Sequence, residues 1–120
     1  MKFRDFETLK KNKDFQKVYK EKKINANRFL IMYIRKNDDE KLRLGVSVSK
    51  KVGNSVIRHR LTRLIREAFR LNSPYIKPGY DVITVVREEL KGSGYRDTSS
   101  ALVHLLKKHK IFDKDHDERK

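Results

Sequence analysis

The sequence predicts an α+β fold: a two-layer αβ sandwich in which helices pack on a small mixed sheet, in the order αββαβα, with a further short strand possible. Three observations carry this reading. Residues 41–49 alternate apolar and polar side chains cleanly, the period of a strand covered on one face. Residues 80–87, YDVITVVR, are rich in β-branched side chains and read as a central or well-covered strand. Between them lies a segment with the 3.6-residue apolar period of a helix. A helix between two strands suggests a parallel pair joined by a crossover, here placed beside an antiparallel hairpin. At 120 residues the chain is long enough for one domain that buries about two-thirds of its unfolded surface. That domain is assigned to residues 1–112, and the charged residues 113–120 are expected to be disordered.

Taken in order, residues 12–22 form a first helix with Asn12 as its cap and Phe15, Val18 and Tyr19 on one face. So short a helix needs a sheet to hold it. Residues 28–36 read as a strand buried on both faces, with Phe29, Ile31 and Tyr33 on one side and Leu30, Met32 and Ile34 on the other. Asn37, Asp38, Asp39 and Glu40 make a turn. The next strand points Leu42, Leu44, Val46 and Val48 inward and Arg43, Gly45, Ser47 and Ser49 outward, so its outer face is small and polar. A helix starts near Asn54, its cap, and stops at Asn72, Ser73 and Pro74. Pro78 and Gly79 mark a turn into the third strand, and residues 92–97 form a loop. Asp97 or Thr98 then caps a last helix whose apolar face is Ala101, Leu102, Leu105, Leu106 and His109.

Charge points to the partner. The formal net charge is +15; three cations against four acids leave −1 in residues 113–120, so the body carries +16. Residues 50–70 hold seven of the cations. On a helical wheel Ile57, Leu61, Leu64, Ile65 and Ala68 fall in one arc, and His59, Arg60, Arg63, Arg66 and Arg70 in the opposite one, with Arg58 at the border. An ordinary solvated face alternates acids with bases; this one sets Glu67 alone against five arginines. Such a face requires a polyanion, and arginine is the side chain that forks onto phosphate and stacks on bases. Nucleic acid is therefore the expected partner.

Other chemistries find little support. With no cysteine the chain has neither disulfides nor thiolate metal sites. The longest apolar run, residues 29–34, is about a third of a membrane span, and the N-terminus lacks a signal-like hydrophobic region, so a cytoplasmic protein without a membrane partner is expected. His59, His104, His109 and His116 are scattered and read as surface or helix-border histidines. The acidic tail lacks the glycine and distal glutamate of a calcium loop. By contrast, Phe15, Tyr19, Phe29 and Tyr33 sit where they can converge, either as core or as a stacking platform for unpaired nucleotides, Tyr19 and Tyr33 being the better candidates for exposure.

These residues carry a resemblance. Ser47, Ser49, Lys50, Lys51, Gly53 and Asn54, followed by Arg58, His59, Arg60, Arg63, Arg66 and Glu67, resemble the distinguishing segment of the bacterial ribonuclease P protein family. NKDFQKVYK at residues 12–20 is similar to that family's first helix, and the likeness spans residues 9–112. One departure stands in the motif: His59 occupies a position where the family usually has Asn. The resemblance implies a left-handed βαβ crossover, against the general right-handed preference. It also implies a role as protein component of an endoribonuclease whose catalysis belongs to its RNA, which removes the 5′ leader of precursor tRNA with Mg²⁺. No catalytic residue, metal or cofactor is then expected in the protein, and no obligate protein partner. Lys50, Lys51, Asn54, Arg58, His59, Arg60, Arg63 and Arg66 map to the surface for the catalytic RNA, and Phe15, Tyr19, Tyr33, Ser47 and Ser49 to that for the leader. A structural RNA-binding protein of the ribosome is the second reading: it accounts for the charge but not for the paired segments.

Overall fold

A computed structural model describes residues 6–113. Residues 114–120 of the acidic tail, His116 among them, therefore lie outside the described residues; Asp113 is described, its amide donating to Tyr75 O at 2.8 Å. The elements are β1 (Glu7–Thr8), α1 (Asn12–Glu21), β2 (Ile24–Ala26), β3 (Leu30–Lys36), β4 (Arg43–Ser47), α2 (Ser55–Asn72), β5 (Tyr80–Val86) and α3 (Tyr95–Lys108). The expected order is present, with two short strands added at its start and before β3. Five strands form one mixed sheet in the order β1-β4-β5-β3-β2. β4 and β5 run parallel across the α2 connection, and β3 pairs antiparallel with β5.

The sheet corrects one expectation. β3 and β4 do not form a hairpin, because β5 inserts between them. The physical reason lies in β5 itself: Asp81, Val82, Ile83 and Thr84 are all buried, which only the centre of a sheet covered on both faces allows. The intervening turn is as foreseen, and Asn37 closes it by donating to Lys41 O at 2.9 Å and to Asp81 Oδ1 at 2.9 Å.

Strand alternation divides the side chains into two cores. Leu30, Met32 and Ile34 of β3, Leu44 of β4, and Val82 and Val86 of β5 meet Leu61, Ile65, Ala68 and Phe69 of α2 and Leu102, Leu105 and Leu106 of α3. On the opposite face a smaller cluster, Leu9, Val18 and Ile83, joins α1 to the sheet, flanked by the half-buried Phe15, Tyr19, Tyr33 and Val85. β3 is thus fully buried on the Leu30 face and half-buried on the Tyr33 face, not sealed on both. Helices therefore cover both faces.

Helix ends show which caps the chain uses. Asn54 caps α2 as expected, its side chain accepting from the Ile57 amide at 3.0 Å. Asn12 does not cap α1: the cap is Lys11, whose carbonyl accepts from the Asp14 and Phe15 amides, and Lys22 ends the helix with φ +56°. α3 begins at Tyr95, inside the segment expected to be a loop, with Gly94 as its cap. Thr98 is buried instead, its hydroxyl donating to Gly94 O at 2.9 Å. Thr98 and Asp97 are therefore first-turn residues, an assignment that favourable cap chemistry at both positions had obscured.

His109 joins the end of α3 to the sheet edge. Its Nε2 lies 3.0 Å from Met32 O, and since a carbonyl only accepts, Nε2 carries the proton and Nδ1 accepts from Asn25 Nδ2 at 3.3 Å. Burial pushes the ring below the usual histidine range; the Met32 bond opposes this, and Lys108 adds to the lowering. The unfolded chain therefore binds a proton before the folded one does. The stability conferred by this depression is complete above about pH 6.5, the unfolded value, and is lost as the pH falls through the folded one. Thermal unfolding of the native protein should show a steeper loss between pH 7.5 and 5 than that of His109→Gln; parallel curves would contradict it.

Candidate nucleic-acid interface

The arginine face of α2 is exposed where the sequence placed it. His59, Arg60, Arg63 and Arg70 are exposed, and Arg58 and Arg66 are partly covered. Their surroundings separate their roles. Arg63 and His59 have no side-chain partner among the described residues, which leaves both free for a ligand. Arg60 Nη2 donates to Ser93 O at 2.8 Å, so the loop before α3 orients it without neutralising it. Arg66 lies over the Phe6 ring at 5.5 Å and donates to Thr8 Oγ1 at 2.9 Å, tying α2 to β1. Arg70 pairs with Glu67 through two bonds of 3.0 and 3.1 Å.

Arg58 is turned back on the chain. Its Nε donates to Gly53 O at 3.2 Å and its carbonyl accepts from the Thr62 hydroxyl, so it braces the turn that presents Lys50, Lys51 and Asn54. Both lysines are exposed. Sequence reading missed Val56, which is 75% exposed one turn before Arg60. Its position on the wheel, in line with Arg60 and Arg63, was available; its apolar character argued against the surface.

The aromatic residues gather on the other side of the sheet. Tyr19 and Tyr33 meet edge to face with centroids 4.7 Å apart, and Phe15 lies 6.3 Å from Tyr19. They are neither plain core nor an open platform: all three pack on the smaller cluster and keep one side toward solvent. Phe15 rests on Gly45, where an added Cβ would come within 2.6 Å of its ring. The small outer face foreseen for β4 is thus what lets α1 approach. The Ser47 hydroxyl stands close to the Tyr19 phenol. Burial pushes that phenol above its usual range and the neighbouring Tyr33 adds to this, while Ser47 opposes it. The Tyr19 hydroxyl therefore stays protonated at neutral pH, able to donate and accept. Ser49 lies beyond the end of β4, exposed, with its carbonyl accepting from the Val52 amide. Phe29 is not part of this group, lying instead beneath the Arg28 guanidinium at 5.4 Å and against the larger core.

Among the described residues no group of three or more His, Cys, Asp or Glu side chains is placed to hold a metal ion. No helix there is long and apolar enough to cross a membrane. A cationic helix face on one side of a mixed sheet, and an aromatic, hydroxyl-bearing groove wall on the other, define an RNA-binding protein of the α+β class. The Ribonuclease P family profile matches residues 3–110. The chain is 50% identical over 113 residues to the ribonuclease P protein component of Lachnoclostridium phytofermentans, covering 94% of this chain and 97% of that one. It is 45% identical over 109 residues to that of Clostridioides difficile, covering 90% and 96%. Among solved structures, the Staphylococcus aureus RNase P protein superposes with a TM-score of 0.80 at 38% identity, over 91% of this chain and all of that one. The Thermotoga maritima RNase P protein gives 0.78 at 32% identity, over 85% and 96%. The chain belongs to the ribonuclease P protein family: it is an RNA-binding protein component of the endoribonuclease that matures tRNA 5′ ends, and it associates with the RNA of that ribonucleoprotein. The ribosomal alternative receives no support from these relatives.

Proposed function

We propose that the two surfaces divide the work of the ribonucleoprotein. The α2 face, led by Arg60 and Arg63 with His59, Lys50 and Lys51, docks the catalytic RNA; Arg66 and Arg58 contribute mainly by holding that face in place, and Asn54 by capping its helix. The patch of Phe15, Tyr19, Tyr33 and Ser47 receives the unpaired 5′ leader of precursor tRNA, with Ser49 at its rim. The observation that carries this reading is the separation of unpaired cations and half-exposed aromatics onto opposite faces of one sheet. Phosphate neutralisation suits the first, and base stacking the second.

On this reading hydrolysis and its Mg²⁺ belong to the RNA subunit, the protein holds no cofactor, and the complex acts in the cytoplasm. The protein lowers the cost of bringing two polyanions together and fixes the leader beside them. Protein alone should leave precursor tRNA uncut, and addition of the ribonuclease P RNA at low Mg²⁺ should give cleavage at the leader junction. Cleavage by the purified protein without that RNA would overturn the proposal.

A further inference from the structure

A cavity of about 400 Å³ opens between the start of α1, the sheet and the turn at residues 37–39. Its size is within the roughly 300–1,000 Å³ range of small-molecule sites. Its floor is a row of three residues in register, Arg43, Asp81 and Arg35. That row lies two residues along each strand from Gly45, Ile83 and Tyr33, on the same face of the sheet. Asp14 and Lys17 of α1 form one wall, and Asp38 and Asp39 the other.

Asp81 has one occupied and one open oxygen. Its side chain is 9% exposed. Oδ1 accepts from Asn37 Nδ2 at 2.9 Å and from Arg43 Nη1 at 3.2 Å. Oδ2 has no hydrogen-bond partner among the described residues; Arg35 Nη1 stands 4.0 Å away, beyond hydrogen-bond reach. Arg35 itself makes no side-chain hydrogen bond among the described residues. A nearly buried acceptor and a cationic donor therefore stand side by side in a cavity as an ion pair at 4.0 Å with no hydrogen bond between them. A metal ion does not suit the place, because Arg43 and Arg35 already supply positive charge to the carboxylate.

We propose that this cavity reads the Watson–Crick edge of an unpaired guanine in the RNA strand that lies on the Tyr19–Tyr33 face. The inference rests on the leader placement proposed above. Guanine presents N1–H and N2–H₂ in a row, next to the acceptor O6. Its donors meet Asp81 Oδ2 on the acceptor-rich side, and O6 meets the Arg35 guanidinium. Adenine and cytosine present one amino group beside a ring nitrogen. Uracil offers one N–H between two carbonyls, one of which would face carboxylate oxygens. Unpaired RNA bases are commonly recognised on this edge, and a matched pair of hydrogen bonds discriminates strongly against the wrong base.

The test uses the holoenzyme assembled from the full protein and ribonuclease P RNA. Precursor tRNAs carry leaders of adenine, cytosine and uracil into which a single guanine, or inosine lacking the 2-amino group, is placed at each position in turn, and their dissociation constants are measured. One position should favour guanine about ten-fold over the other bases, with inosine between. In both Arg35→Gln and Asp81→Asn that preference should fall to about two-fold or less. Asp81 also closes the 37–41 turn, so if its variant melts early the Arg35 variant decides alone. A preference for another base, no preference anywhere, or a guanine preference that survives Arg35→Gln overturns the subsite. Tyr33→Ala distinguishes the two levels: if it weakens leader binding while no guanine preference exists, the subsite fails alone, and if it leaves leader binding intact, the leader placement falls with it.

Discussion

Replacing Arg60 and Arg63 together by alanine is expected to weaken binding of the ribonuclease P RNA roughly thirty-fold at physiological salt, on about 1 kcal/mol for each exposed arginine–phosphate pair. Both side chains are solvent-facing, and among the described residues Arg63 has no side-chain partner and Arg60 only the Ser93 carbonyl. Their removal takes two cations from the RNA and little from the fold, so the melting temperature should change only slightly. The salt dependence should change as well: the slope of log K against log salt falls by about 0.7–0.9 for each phosphate left without its arginine, or about 1.5 for the pair. A filter-binding titration at several salt concentrations measures both. Lower affinity with an unchanged slope would mean that the arginines act through the fold and not on phosphate.

Gly45→Val is expected to destabilise the protein by about 2–3 kcal/mol, the upper part of the range of about 1–3 kcal/mol for overpacking a filled interior. A Cβ at this position would stand 2.6 Å from Phe15 Cζ and 3.2 Å from Leu9 Cβ, so a branched side chain must push the ring and α1 away from β4. The consequence reaches the site, because the displaced helix carries Tyr19 away from Tyr33 and Ser47. Denaturant unfolding should show the loss of stability. At temperatures where the variant remains folded, precursor tRNA should bind more weakly to its holoenzyme, while affinity for the catalytic RNA is retained. A variant as stable as the parent, with intact leader binding, would show that the close approach at Gly45 does not position α1.

The two arms of the site were legible in the sequence to different degrees. The arginine face followed from helical period and charge, since both are local properties of residues 50–70. The period does not report which arginine is used internally: the stacking of Arg66 on Phe6 depends on chain that folds back from elsewhere, and the bracing of Gly53 by Arg58 depends on the turn before the helix, which has no helical period. The aromatic group was visible as a set of candidates, but its half-buried state depends on Gly45, whose lack of a side chain lets α1 lie low on β4. Strand order was misjudged for the same reason. Short sequence separation favours a β3–β4 hairpin, whereas central burial of β5 is a tertiary preference that outweighs it. The short strands β1 and β2 have too few residues for alternation to register, and the Asp81 cavity joins four segments that no single motif spans.

The claim that two separate surfaces serve two RNAs is tested most directly by one paired titration. Holoenzymes carrying Tyr33→Ala or Arg63→Ala are compared for their affinity toward precursor tRNA with and without its leader, and the free proteins for their affinity toward ribonuclease P RNA. Tyr33→Ala should lose affinity only for the leader-bearing substrate, by about 1–3 kcal/mol if a base stacks on the ring, and should bind the catalytic RNA normally. Arg63→Ala should show the reverse. Equal losses in both assays for both variants would contradict the division.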